Sequence, residues 1–314
     1  MTLGPTHRLW ETYLTTLTSL AGTHPGLLVF ATREPDAPPL PSGFVSAFGE
    51  RLHLLDSPHP EPALQAAAAL ASSERPVFVN ARSSLVARSY GTVRQALAYP
   101  RSNVKLVARF AWPAVASADG LAPVVEDVGL MRGIPGMAVV VPADPPTTRS
   151  AVEVLAHLPG PAYVRLAEGD HPTLSELPFT LGRANVVRDG TDLTLVAAGP
   201  ILGAAIGLAE ELHRVGVSAR VLDLASVKPI DAPALLRAAR DTGGVLVVEE
   251  HSVETGLGEL VAAIVSENFP VPVRRVAVPD LFEVPPGPHG SLGPAADRMR
   301  DEAWELLRLR GKVQ

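Results

Sequence analysis

The chain has 314 residues, 46% of them hydrophobic and 19% charged, with a formal net charge of −6 and no cysteine. This length accommodates two domains of ordinary size. The mildly acidic balance, without a basic stripe, argues against a nucleic-acid partner. The lack of cysteine excludes disulfides, thiolate catalysis and zinc–thiolate sites. The start of the chain has no basic region followed by a continuous apolar core, so no signal peptide is expected. No run reaches the roughly 18–20 apolar residues that span a bilayer, so no membrane partner is expected and the expected location is the cytoplasm.

In chain order, apolar spacing predicts a helix over 10–20 and a short buried strand over 27–31, followed by a Pro-rich loop over 33–43. An alanine-rich helix is predicted over 61–72, with Pro62 tolerated in its first turn. Strand 77–80, helix 88–98, strand 104–108, helix 125–132, strand 137–141, helix 148–157 and strand 162–166 follow. The polar, Pro/Gly-punctuated stretch 167–190 then breaks the rhythm. It divides the chain into a first domain over 1–175, a linker over 176–190 and a second domain over 191–314. In the second domain strands are predicted over 193–197, 219–223, 245–249 and 273–278. They alternate with helices over 202–215, 232–242 and 258–267, and a last helix spans 296–309. The predicted fold class is α/β, with two doubly wound domains built on mostly parallel sheets.

Several segments carry a specific resemblance. They are AYPRSNVKLV at 98–107, ADG at 118–120, EDVGLMRGIPGMAVVVPAD at 126–144 and AYVRL at 162–166, then DLTLVAAGP at 192–200, GVSARVLDLASVKPID at 216–231, VVEEHS at 247–252 and GLG at 256–258. In this order, over nearly the whole chain, they resemble the C-terminal half of transketolase, a pyrimidine-binding domain followed by the transketolase C-terminal domain. Many bacteria split transketolase in two, and the chain resembles the smaller subunit. The family holds the cofactor diphosphate and its metal with a Gly-Asp-Gly motif and an asparagine, and no Gly-Asp-Gly occurs in this sequence. The resemblance therefore implies thiamine diphosphate shared with a larger N-terminal subunit, Mg2+ held by that partner, no metal ligands in this chain, and a dimer of heterodimers.

The resemblance also assigns the candidate site residues. In the family a glutamate hydrogen-bonds the aminopyrimidine ring and favours the imino tautomer that takes the C2 proton. The corresponding stretch here is LLDSPHPEPALQAAAALA at 54–71. Counting back from the helix puts the glutamate's place on Pro60, and counting forward from Arg51 puts it on His59. Glu61 stands next to both, and a one-residue change in the loop could deliver its carboxylate. Two readings of Glu61 stand: the activating carboxylate, or a helix N-terminal acid favoured by the dipole. His59 is the second catalytic candidate, beside a solvent-facing reading.

The aromatic positions that pack on the pyrimidine match Ala81 and Ser84, and the Asp-Gln pair after Tyr90 matches Gly91 and Thr92. Ser84 and Tyr90 remain as the cofactor contacts. Two of the family's histidines have no counterpart: Ala111 takes the place of one that helps hold the substrate phosphate, and ADGLAPVVED lacks the one that contacts the sugar. Asp119 matches an aspartate that binds a substrate hydroxyl, and Arg165 lies near the phosphate-binding arginine. Their alternative readings are a turn aspartate and a structural strand-end arginine. In the second domain Glu249–His251 reads as structural rather than metal-binding.

The function implied is transfer of a two-carbon ketol unit, with the missing histidines pointing to a non-standard or non-phosphorylated substrate in a specialised pathway. The alternatives are a non-catalytic scaffold or regulatory subunit of such a complex, and the β subunit of a 2-oxoacid dehydrogenase E1.

Overall fold

The computed structural model describes residues 6–32, 39–55, 59–72, 75–110, 124–280 and 295–311. Elements of the first half run in chain order as β1 (Thr6–Arg8), α1 (Leu9–Thr23), β2 (Leu28–Thr32), α2 (Ser42–Phe48), β3 (Leu52–Leu55), α3 (Glu61–Leu70), β4 (Val77–Arg82), α4 (Ser83–Arg88), α5 (Tyr90–Thr92) with a π-helical continuation Val93–Ala98, β5 (Val104–Phe110), α6 (Asp127–Arg132), β6 (Ala138–Val140), α7 (Pro145–His157), β7 (Ala162–Ala167) and β8 (Asp170–Pro172). The second half continues with β9 (Asn185–Arg188), β10 (Leu193–Ala197), α8 (Leu202–Arg214), β11 (Ala219–Asp223), β12 (Ser226–Lys228), α9 (Ala232–Thr242), β13 (Val245–Ser252), α10 (Leu257–Asn268), β14 (Val273–Val278) and α11 (Ala295–Leu309).

Two large sheets carry the fold, in strand orders β12-β6-β7-β5-β4-β2-β3 and β14-β13-β10-β11-β9. Every pairing in the first is parallel except β12 on β6, and every pairing in the second is parallel except β9 on β11. The central strands are mostly apolar because helices cover both faces. β4, β5 and β10 are buried along almost their whole length.

Helix starts follow local chemistry. The Asp144 carboxylate accepts from Thr147 N at 2.9 Å, and prolines occupy the first turn of α7. Asp231 accepts from Ala234 N at 3.0 Å to start α9, and Gly243 ends that helix in the left-handed region at φ 67°.

The structure departs from the sequence reading at several places, four of which bear on the site or on the joining of the two halves. The Pro-rich stretch gives way to α2 at Ser42, directly after Pro41, and an edge strand β3 follows. The helix expected over 88–98 breaks at Ser89, where φ −93° and ψ 16° separate α4 from α5. The stretch 176–190 contains β9, which joins the second sheet. Most consequential is β12, which leaves the second half and pairs antiparallel with β6 at the edge of the first sheet.

The segment 126–144 is clasped accordingly. Lys228 Nζ donates to the carbonyls of Arg132 and Ile134 at 2.8 and 2.6 Å. A single core cluster runs from Val79, Met131 and Val139 of the first half into Val196, Leu222 and Val261 of the second.

Candidate active site

Two described chain segments reach the carboxyl edge of the first sheet, the usual location of ligand sites in open parallel sheets. α3 begins beyond the end of β3, and α4 begins immediately after β4. Asp119 lies outside the described residues, so these two segments define the observable site.

Glu61 is the first residue of α3 and is half-buried. Its carboxylate Oε1 accepts from Ser89 Oγ at 2.9 Å. Partial burial by itself would raise the Glu61 carboxyl. The helix-terminal N–H, the Ser89 hydroxyl, Arg88 and His59 together outweigh it, and the net shift is downward. The acid at this edge is therefore an ionised carboxylate held by a hydroxyl. That is more than a helix N-terminus needs, since Pro62 follows directly and the first backbone bond of the helix, Leu64 N to Pro60 O at 2.9 Å, forms without it.

His59 is exposed, and its Nδ1 lies 3.2 Å from Arg88 Nη2. A guanidinium only donates, so Nδ1 accepts there. Ser84 is buried, and its Oγ has no hydrogen-bond partner among the described residues. Tyr90 is half-buried and packs on the first core cluster, and α3 packs against α5 and the π-helical turn. The structure thus gathers Glu61, His59, Arg88 and Ser89 at one place. Arg88 and Ser89 were not singled out in the sequence. The one local signal was a serine and Gly91 inside a predicted helix, where both residue types are unfavourable.

Arg165 requires a correction. The sequence reading offered it as a phosphate contact, but it is 2% exposed, with Nε 3.2 Å from Asp127 Oδ2 and Nη2 donating to the Glu250 carbonyl at 3.0 Å. Asp127 is fully buried and also accepts from the Tyr163 hydroxyl. The guanidinium ties the first sheet to the end of β13, and the structural reading replaces the substrate one.

The second-half motif is likewise structural. Glu249, on β13, accepts from Leu257 N at 2.5 Å, from Gly258 N at 2.8 Å, and pairs with His251 Nδ1 at 3.0 Å. It closes the N-terminus of α10 from a neighbouring strand.

The buried, unpartnered Ser84 hydroxyl and the Glu61 carboxylate, each on a segment that begins at this sheet edge, offer the donor and acceptor chemistry that a heteroaromatic ring edge needs. No group of three or more His, Cys, Asp or Glu side chains suited to a metal occurs among the described residues. The same residues include no helix long and apolar enough to cross a membrane.

The chain is similar to known proteins over most of its length. A family model described as the transketolase C-terminal domain matches residues 182–298. The chain is 40% identical over 224 residues to a subunit of the apulose-4-phosphate transketolase of Phocaeicola vulgatus, covering 70% of this chain and 72% of that one. It is 39% identical over 220 residues to the 6-deoxy-6-sulfo-D-fructose transketolase subunit SqwH of a Clostridium species, covering 69% and 68% respectively. A solved structure described as a split gene transketolase, inactive beta4 tetramer, superposes with a TM-score of 0.86 at 33% identity, over 98% of this chain and 99% of that one.

Proposed function

The chain belongs to the transketolase family, and on that premise we propose that it is the small subunit of a two-component, thiamine diphosphate-dependent enzyme that transfers a two-carbon ketol unit between non-standard substrates. The observation that carries this reading is the Glu61 carboxylate, half-buried at the carboxyl edge of the pyrimidine-domain sheet and held by Ser89 at 2.9 Å. When bound, the cofactor supplies a stabilised carbanion equivalent for carbon–carbon bond exchange.

The protein's own part is positional and protonic. Glu61 pairs with a ring nitrogen and holds a proton there, Ser89 fixes the carboxylate, and Ser84 offers its unpartnered hydroxyl to the same ring. The helix-terminal N–H, the Ser89 hydroxyl and then Arg88 favour the charged form of Glu61 before the ring arrives. His59 and Asp119 remain candidates.

A larger subunit holding the diphosphate and Mg2+ completes the site, and the working assembly is a dimer of heterodimers in the cytoplasm. The solved relative described as an inactive β4 tetramer supports that division of labour. The names of the two curated relatives, which refer to apulose-4-phosphate and to a sulfofructose, support a ketose outside the common pentose phosphates.

The test is reconstitution with the N-terminal subunit followed by exchange of the cofactor C2 proton. Wild type exchanges it rapidly and Glu61→Gln slows it, whereas unchanged exchange returns the chain to a scaffold role. Turnover of xylulose and ribose phosphates at ordinary transketolase rates would remove the specialised-substrate part of the reading.

A further inference from the structure

Away from the candidate site, α1 and α7 lie side by side and their C-terminal ends meet at two histidines. His24 caps α1, its backbone N–H donating to Leu20 O at 2.8 Å, and His157 is the last residue of α7. The two Nε2 atoms stand 2.9 Å apart, with the rings nearly perpendicular at 78°.

The second nitrogen of each ring fixes what Nε2 can do. His157 Nδ1 lies 2.9 Å from the Glu153 carbonyl, which only accepts, so the His157 proton is on Nδ1 and its Nε2 carries a lone pair. His24 Nδ1 lies 2.9 Å from Thr23 Oγ1, and that same hydroxyl is 3.3 Å from the Leu20 carbonyl. Thr23 can therefore donate to His24 Nδ1, leaving a proton on His24 Nε2 that bridges to His157. Alternatively it can turn to Leu20 and accept from His24 Nδ1–H. In the second arrangement both Nε2 lone pairs converge on one point, and the pair is stable only with a cation there.

We propose that His24 and His157 form a two-imidazole site for a late first-row divalent cation, nickel(II) or copper(II). Two metal–nitrogen bonds of about 2.0–2.1 Å span about 2.9 Å at a right angle and about 3.4 Å at a tetrahedral one. The observed 2.9 Å matches the square or tetragonal geometry of these ions. Binding moves the His24 proton from Nε2 to Nδ1 and rotates the Thr23 hydroxyl, so both rings stay neutral and no proton is released. Thr23 and the Glu153 carbonyl act as the outer partners that orient the ligands. His157 is exposed and His24 half-buried, so water can complete the coordination. Arg51 donates to the His24 carbonyl at 3.1 Å and adds a nearby positive charge, which limits the affinity.

The experiment is calorimetric titration of the full chain with nickel(II) chloride at neutral pH. One ion per chain is expected, with affinity falling at least about 10-fold in His24→Ala and in His157→Ala, and measurably in Thr23→Val. His171→Ala, remote from the pair, keeps wild-type binding. Melting curves of each variant separate loss of the site from loss of the fold, and wild-type melting should rise with nickel(II) while the histidine variants stay flat. Undiminished binding in either histidine variant, or zinc(II) binding tighter than nickel(II), overturns the proposal.

Discussion

Ser89 Oγ donates to Glu61 Oε1 at 2.9 Å, joining the break between two helices to the first residue of another helix 28 positions earlier. The bond places a hydroxyl on the carboxylate proposed to handle the cofactor proton, and it helps hold that carboxyl below its ordinary range. In the reconstituted complex, Glu61→Gln is expected to lower turnover by about 10²–10⁴-fold, the span of general acid–base catalysis, with unchanged melting. Ser89→Ala should cost about 10-fold and move the acid limb of the pH–rate profile upward, because one of the interactions favouring the charged form is gone. Steady-state rates across pH measure both.

Arg165 and Asp127 form an ion pair with side chains only 2% and 0% exposed. Removing one partner leaves the other charge buried. Arg165→Met is therefore expected to destabilise the chain by about 3–5 kcal/mol, with the double variant Arg165→Met/Asp127→Leu losing less than the sum of the single losses. Urea unfolding midpoints give the comparison. A fall in substrate affinity with unchanged stability would return Arg165 to the substrate site.

Asp223 is buried at the end of β11, and neither of its oxygens makes a well-aligned hydrogen bond among the described residues, the Ala225 N–H being only a nearby, poorly aligned donor. Burial, and then the nearby Asp144 carboxylate, push its pKa up to about 7, while the Ala225 backbone N–H opposes this weakly. The folded pKa lies above the unfolded one, so the stability tied to the protonated form is complete below about pH 4 and is lost as pH rises to about 7. Asp223→Asn should flatten that slope and melt higher than wild type above neutrality. Melting temperatures measured from mildly acidic to mildly basic pH test it, and parallel profiles for the two proteins would count against a buried, protonated Asp223.

Gly256 leads into α10 beneath the Glu249 carboxylate. A Cβ at this position would overlap Glu249 Oε2 and stand 2.7 Å from the Ser252 carbonyl. Gly256→Ala is expected to cost about 1–3 kcal/mol by pushing Glu249 off the helix N-terminus. Gly207→Ala, where a Cβ meets nothing within 4 Å, serves as the tolerated control in the same unfolding assay.

The alternation of buried strands and helices was legible because it is written in contiguous residues: apolar runs such as Leu193–Ala197 and caps such as Asp231 before α9. The edge elements were not. β3 is short and only partly buried, and α2 starts directly after Pro41 in a stretch whose composition reads as loop. At the candidate site, the sequence put Glu61 at a helix start but could not distinguish a helix acid from a catalytic one. The distinction lies in a partner 28 residues away.

By itself the sequence determined the alternation of strands and helices, because spacing and capping act within a few residues of chain, and its resemblance to transketolase pointed to the family and the candidate carboxylate. Only the tertiary structure decided that β12 closes the edge of the first sheet, that Arg165 is spent on Asp127 and on a carbonyl 85 positions away, and that Ser89 holds Glu61. Each of these is a pairing between distant segments, fixed by which groups must find a partner once packing has removed them from water.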